Sequence, residues 1–318
     1  NGEATTDWYK SSAGFWYYFN HDGQALTNWQ HINGRWYLFN NTNANAVTGW
    51  YQSDYGNWYY FDPVNAWADT NWQYINGIWY YFNPDDAWLD LNQTLTYNWQ
   101  QIMGSYWNSS SIAIQLQRNG VEYATTNNPG LRYEVASTVK VAVLAMLLHN
   151  TGGNLDSTQQ SLAMKMIRNS DNDATTTILT NYLGGITALS AIYSALGMNQ
   201  TTAAPHWGSS LTVPSDQLKL LKMIYLDPSS NYLNDKSRNY IKWLMNTVST
   251  DQSWGISAGS SNYYLKNGWR PASDNGLWEV NSIGYIPNGR NSYTIAIYTR
   301  NNRNFNWGVS YVEALARI

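Results

Sequence analysis

Cysteine does not occur in the 318 residues. No disulfide can staple the fold and no thiolate can hold a metal, so the chain must be stabilised by its own buried core, as an extracellular protein without bridges would be. Histidine is scarce too. The four present show no H-E-x-x-H or similar spacing that would gather them around a metal, and no cofactor is expected. Charge is sparse, and a net of −3 offers no basic surface for nucleic acid. Long apolar runs are missing: VAVLAMLL (141–148) falls well short of the roughly 20 residues that span a bilayer, so no transmembrane segment is expected. The chain starts at Asn1 with neither Met nor a leader-like stretch, the start expected of a mature or trimmed form.

Aromatic residues, by contrast, are abundant and unevenly spread. Residues 1–90 hold 10 Trp, 11 Tyr and 5 Phe, more than half of the chain's aromatics. The same stretch has only two basic residues, Lys10 and Arg35, against nine acidic ones, a net of −7, while residues 91–318 carry +4. Two domains of different composition are therefore expected: 1–90, and 105–318 after a linker and lead-in helix over 91–104.

The first ninety residues repeat. FWYYFN (15–20), RWYLFN (35–40), NWYYFD (57–62) and IWYYFN (78–83) place Trp16, Trp36, Trp58 and Trp79 at steps of 20, 22 and 21 residues. Trp8, Trp29, Trp50 and Trp72 form a second series, stepping by 21, 21 and 22. Two series in one register define a repeat. Alternating aromatic β-formers flanked by turns such as Asn33-Gly34 and Asn76-Gly77 predict a β-hairpin per unit. A lone hairpin is unstable in water, so the units are expected to stack as a solenoid. Trp and Tyr exceed what a plain core needs. Exposed aromatic faces take sugar rings or quaternary ammonium groups, and the negative charge favours a cation.

These units resemble the cell-wall-binding repeats of Gram-positive surface proteins, a group that includes choline-binding modules and the glucan-binding repeats of glucansucrases. The likeness covers roughly residues 7–90. It rests on the G-x-W-Y-Y-F core and the triplets Thr27-Asn28-Trp29, Thr48-Gly49-Trp50 and Thr70-Asn71-Trp72. It implies an extracellular, wall-associated protein whose partner is a polymer such as choline-bearing teichoic acid or α-glucan. Trp16, Trp29, Trp36, Trp50, Trp58, Trp72 and Trp79 are the implied ligand-binding residues. Two of the three triplets have Asn where the choline-binding pattern has Gly. The pattern stops after Trp88; PDDAWLDLN (84–92) reads as a linker, and 93–103 as a helix.

Beyond it, SIAIQLQR followed by Asn119-Gly120 and VEYAT predicts a hairpin. Helical patterns occupy 138–149, 157–168, 171–183 and 186–197. Strand patterns return at 262–269, 277–286 and 292–300, and a helix (306–318) closes the chain. Strands at both ends with helices between predict an antiparallel sheet carrying a helical lobe, an α/β or α+β domain.

Three short motifs stand in this part: Ser137-Thr138-Val139-Lys140, Ser170-Asp171-Asn172 and Lys266-Asn267-Gly268. Alone, the first is explained by a capping Ser and a snorkelling Lys. The ordered set resembles the signature of class A β-lactamases and penicillin-binding proteins, a likeness that runs from about residue 105 to 318. The third motif has Asn267 where Thr or Ser is usual, and the first two motifs are closer together than in β-lactamases. One helical turn brings Lys140 within reach of the Ser137 hydroxyl. Burial and a second cation such as Lys266 would lower the lysine's pKa and make it a base. The Ser137 N–H would form half of an oxyanion hole. The resemblance implies the remaining roles: the Trp269 N–H after Gly268 as the other half, Ser170 as proton relay, Asn172 holding Lys140 or a substrate amide, and Lys266 drawing a substrate carboxylate. Asp171 is expected to tie down its loop.

The resemblance therefore implies a serine hydrolase working through a Ser137 acyl-enzyme on a peptidoglycan peptide, a β-lactam or an ester. Class A β-lactamases activate water for deacylation with a glutamate, but residues 197–216 contain no Glu and no carboxylate before Asp216. His206 is the one strong base candidate there, and packing beside Trp207 is its competing role. Efficient β-lactam turnover is not expected; a penicillin should acylate Ser137 and stay. The alternative is a non-catalytic wall-binding protein that retains the hydrolase fold.

Overall fold

A computed structural model describes residues 6–105 and 108–318, which divide into two compact units, Asn1–Asn98 and Trp99–Ile318. In the first unit the aromatic runs form four separate two-stranded antiparallel hairpins. They pair β1 (Asp7–Lys10) with β2 (Trp16–Phe19), β3 (Asn28–Ile32) with β4 (Arg35–Phe39), β5 (Gly49–Gln52) with β6 (Trp58–Phe61), and β7 (Asn71–Ile75) with β8 (Ile78–Phe82). Asn33 (φ 51°) with Gly34 (φ 80°), and Asn76 (φ 50°) with Gly77 (φ 92°), occupy the left-handed region that a two-residue hairpin turn requires.

No hairpin buries itself. The carbonyls of Trp16, Trp36 and Trp58 accept from the N–H groups of Ala46, Ala68 and Leu89 at 2.7, 2.8 and 2.7 Å, so each unit is tied to a later one. Residues 84–89, which read as linker in the sequence, keep this geometry: Phe82 bridges to Leu89, and Ala87 is buried. The pattern persists because a backbone bond needs no particular side chain, so Pro84 and the acidic residues do not disturb it. Helix α1 (Leu91–Gly104) starts at an Asp90 cap, whose carboxylate accepts from the Gln93 N–H at 3.0 Å. Its Asn98 and Thr94 side chains bond the Trp79 carbonyl (2.7 Å) and the Tyr81 N–H (3.0 Å), covering the edge of β8.

In the second unit β9 (Ser109–Leu116), β10 (Glu122–Thr126), β13 (Tyr264–Pro271), β14 (Trp278–Ile286) and β15 (Tyr293–Asn302) form an antiparallel sheet in the order β10-β9-β15-β14-β13. β11 (Tyr133–Glu134) and β12 (Leu211–Thr212) make a separate short ladder. The helical lobe comprises α2 (Lys140–Asn150), α3 (Ser157–Arg168), α4 (Asn172–Tyr182), α5 (Leu189–Ala195), α6 (Pro214–Tyr225) and α7 (Asp235–Asn246); α8 (Phe305–Ala316) packs on β14 and β15. Residues 141–148 of α2 are buried on every side, which accounts for their unbroken apolar run. The sheet edge at β13, the turn leading into α2 and the start of α4 carry the three motifs.

Candidate active site

Ser137 sits in a short 3₁₀ turn (Ala136–Val139) that runs into α2, with Lys140 as the first α-helical residue. The sequence predicts a helix over 138–149; the tighter turn at its start has a consequence. In a 3₁₀ turn, residues three apart eclipse, which sets Lys140 over Ser137. Thr138 pins the turn: its Oγ1 donates to the Val135 carbonyl at 2.7 Å and lies 2.7 Å from the buried Tyr298 hydroxyl. Ala136 (φ 46°) and Ser170 (φ 57°) both adopt left-handed backbone, which is strained for residues with a Cβ.

The second motif closes on the first. Asp171 caps α4, accepting from the Ala174 N–H at 2.7 Å, and so fixes its neighbours. Lys140 Nζ donates to Ser137 Oγ (2.9 Å), the Ser170 carbonyl (2.6 Å), Ser170 Oγ (3.2 Å) and Asn172 Oδ1 (2.8 Å). An ammonium has three protons for these four acceptors, and a neutral amine presents a lone pair to one of the hydroxyls. Burial pushes Lys140 down to about 7, with nearby Asp171 opposing the shift.

The third motif lies on β13, whose side chains alternate. Lys266 and Arg270 face one way and Asn267 and Trp269 the other. Lys266 Nζ donates to Ser170 Oγ at 2.9 Å and to the Asn267 carbonyl at 2.7 Å, so Ser170 is shared by both lysines. Burial, then the neighbouring Lys140 charge, hold Lys266 well below the ordinary lysine range. Gly268 permits the close approach of β13 to the Ser137 turn. A Cβ there would stand 2.8 Å from the Ser137 nitrogen and 2.9 Å from both the Thr138 nitrogen and the Val135 oxygen. Asn267, in the place of a hydroxyl residue, donates at 2.8 Å to the carbonyls of Gln252 and of Trp254 and ties β13 to the preceding loop. The Trp269 ring packs with Trp254 (5.6 Å) and Phe305 (5.4 Å).

Two features beside these motifs are not contained in them. The Trp207 ring is buried, with its centroid 5.1 Å from Lys140 Nζ and His206 stacked at 5.1 Å. His206 itself is exposed, and its Nδ1 accepts from the Gly208 N–H at 3.2 Å within its own turn. Asp216 is engaged by the Gln200 N–H and Thr201 Oγ1, both at 2.8 Å. Secondly, a bulge in β14 between Trp278 and Val280 turns Glu279 inward, where its carboxylate accepts from the Glu134 N–H at 2.7 Å, three residues before Ser137. Arg270 lies 3.1 Å from Glu134 and Arg300 3.6 Å from Glu279. Burial raises Glu279 to about 8 against the pull of Arg300. Glu279 is the one charged residue in the buried WEVNSIGYI strand, and that is the signal that marks it.

In the first unit the structure brings the seven nominated tryptophans into a repeating pattern. Trp29 meets Trp36 (6.3 Å) and Tyr59 (4.8 Å), Trp50 meets Trp58 (6.1 Å) and Tyr80 (4.9 Å), and Trp8 meets Trp16 (6.0 Å) and Tyr37 (4.7 Å). At the last hairpin Tyr97 of α1 takes the tyrosine's place, 4.6 Å from Trp72 and 6.5 Å from Trp79. A cavity of about 780 Å³ opens beside Trp29, Trp36 and Tyr59.

Comparisons with known proteins agree with this division. The model of the beta-lactamase enzyme family matches residues 148–318, a span that begins after Ser137 and Lys140 and contains the other two motifs. A choline-binding repeat model matches 26–65 and a cell wall binding repeat model matches 70–85. Among solved structures, a PBP-A mutant in an acyl-enzyme complex with penicillin G has 19% identity and a TM-score of 0.58, covering 71% of this chain and 94% of that one. An ancestral class A β-lactamase has 19% identity and a TM-score of 0.58 (70% and 97% covered). A class A β-lactamase representative from Bacteroides cellulosilyticus DSM 14838 has 15% identity and a TM-score of 0.59 (71% and 96%). At these identities the likeness establishes the fold. No curated protein matches the chain.

Proposed function

The chain belongs to the β-lactamase enzyme family, and from that premise we propose that it is an extracellular serine hydrolase held at the cell wall by its repeats, with Ser137 as the nucleophile. The observation that carries this reading is the buried Lys140 side chain, with its Nζ 2.9 Å from Ser137 Oγ and 3.2 Å from Ser170 Oγ. Neutral Lys140 takes the Ser137 proton as Oγ attacks a carbonyl carbon. The oxyanion is received by the N–H groups of Ser137 and Trp269. Lys140 returns its proton through Ser170 to the leaving nitrogen or oxygen, and the carbonyl–heteroatom bond breaks to leave an ester on Ser137. Asn172 holds Lys140 in line. Lys266, once protonated, draws a carboxylate on the substrate, in keeping with a peptide ending in a free carboxylate (a D,D-peptidase substrate) or a β-lactam; a small ester is the other candidate.

Water delivery is the weak step. The region that supplies a glutamate in class A β-lactamases holds the Trp207 ring beside Lys140, and Asp216 is committed elsewhere. A penicilloyl ester on Ser137 is therefore expected to persist. The repeats stack as a short solenoid whose exposed aromatics hold a wall polymer, choline-bearing teichoic acid or α-glucan. The intact hydrogen bonds among all three motifs favour catalysis over a retained but silent fold. Labelling with a fluorescent penicillin or a fluorophosphonate tests this: wild type should label and Ser137→Ala should not, whereas equal labelling of both sinks the assignment.

A further inference from the structure

We propose that Glu279 is a positioning residue for acylation: by holding the backbone of Glu134 against β14 it fixes the strained turn that aims the Ser137 N–H. This rests on the reading of Ser137 as the nucleophile. In the β13–β14 ladder Gly268 pairs with Asn281 and Arg270 with Glu279, so all four share one sheet face. That face meets the Ser137 turn, which a Cβ on Gly268 would touch. Two of the four clamp Glu134. Its N–H donates to Glu279 Oε2 at 2.7 Å, and its carbonyl accepts from Asn281 Nδ2 at 2.9 Å. Asn281 is fixed in turn, its Oδ1 accepting from the Thr299 N–H at 3.2 Å.

The hold reaches Ser137 within three residues. Val135 is tied on both sides. Its N–H donates to the Ser210 carbonyl at 2.8 Å, and its carbonyl accepts from Thr138 Oγ1 at 2.7 Å and from the Thr138 N–H at 3.1 Å. Between Val135 and Ser137 stands only Ala136, in the left-handed region at φ 46°. Such backbone is strained for a residue with a Cβ and persists where its surroundings leave no alternative. Releasing the Glu134 N–H lets Ala136 relax toward ordinary backbone. Relaxation there rotates the next peptide, the one that carries the Ser137 N–H. An oxyanion donor works only when it is aimed at the developing charge.

The clamp is a neutral acid near pH 7. Glu279 is fully buried, and its Oε1 has no hydrogen bond, with Arg300 Nε 3.6 Å away. Arg300 is also drawn to Asp274, and Arg270, across the ladder from Glu279, lies 3.1 Å from Glu134. Neither cation belongs to Glu279 alone. Burial raises its carboxyl to about 8; Arg300 and Arg270 oppose the shift and Glu134 adds to it. The nearby Tyr133 and Tyr298 hydroxyls are themselves pushed up by burial and stay neutral. A protonated carboxyl still offers its carbonyl oxygen to the Glu134 N–H, and a glutamine of the same size offers the same. A role as the ion-pair partner of Arg300 would not survive that exchange.

Stopped-flow labelling of the whole chain with a fluorescent penicillin tests this, because it separates the affinity of the first complex from the rate constant of acylation. Glu279→Ala should lower the rate constant about 10- to 100-fold, the scale of loss when a reacting group is misplaced by up to an ångström, and leave the affinity unchanged. Glu279→Gln should keep both. Hydrogen–deuterium exchange over residues 133–140 should quicken in Glu279→Ala, more than over the rest of the sheet, and match wild type in Glu279→Gln. If the alanine variant does not fold, Glu279→Asp, one carbon shorter, withdraws the acceptor in its place. A variant lacking the acceptor that keeps the wild-type rate constant overturns the positioning role. A loss in Glu279→Gln as large as in Glu279→Ala assigns the residue to charge pairing and overturns the neutral clamp. Slower acylation with unchanged exchange overturns the route through the turn. A wild type that neither penicillin nor a fluorophosphonate labels overturns the nucleophile reading instead, and exchange in the two variants then decides the clamp by itself.

Discussion

Lys140 has no carboxylate among its hydrogen-bond partners, which are two hydroxyls, a carbonyl and an amide oxygen. A buried ammonium without an anion releases its proton easily, and that makes it a base near neutrality. Because Lys140 is lowered to about 7, its neutral fraction grows as pH rises through 7, and the rate of Ser137 acylation should climb over the same range and then level off. A pH–rate profile with a fluorescent penicillin checks this; the midpoint belongs to the coupled Lys140–Lys266 pair. The same shift links to stability. The unfolded lysine keeps its proton up to its ordinary value of about 10.4, while the folded one releases it near 7, so stability should rise with pH across that interval. Lys140→Met should cut acylation by about 10²-fold or more, the usual range for losing a positioned base. Gly268→Ala forces a carbon to within 2.9 Å of the Ser137 turn, so it should slow acylation and lower the melting temperature together.

At the scale of elements, the site is a 3₁₀ turn, a capped helix start and an edge strand pressed against one another. Each motif is legible in the sequence because its residues lie within four positions and need only local geometry. What joins them is less legible. Trp207 meets Lys140 from 67 positions away, and Glu279 meets Glu134 from 145, contacts that no local pattern encodes. Helix α7 is also hidden: in Asp235–Asn246 the buried apolar side chains are only Ile241, Leu244 and Met245, and Trp243 on the exposed side blurs the pattern. The β13 strand depends on Asn267, whose two bonds to the 252–254 loop would leave buried carbonyls unpaired in Asn267→Ala. That substitution should cost about 1–3 kcal/mol, read as a melting-temperature drop of several degrees.

At the scale of the whole molecule, the sequence divides its chemistry between an acidic, aromatic stretch that repeats and a mildly basic stretch that carries the three motifs. The repeat was readable from Trp spacing alone, while the way residues 84–89 extend it is set by backbone bonds that composition conceals. Binding and catalysis in one chain make sense if the repeats concentrate the enzyme at an insoluble polymer that also bears its substrate. The central claim is an acyl-enzyme at Ser137 that forms and then lingers, and intact-mass spectrometry after incubation with penicillin G measures both halves at once. The expected result is one added penicilloyl mass on wild type, absent from Ser137→Ala and still present hours after the free drug is removed. An unmodified wild-type mass with the penicillin intact, or equal modification of Ser137→Ala, would contradict the claim; rapid loss of the adduct with release of hydrolysed drug would contradict the persistence.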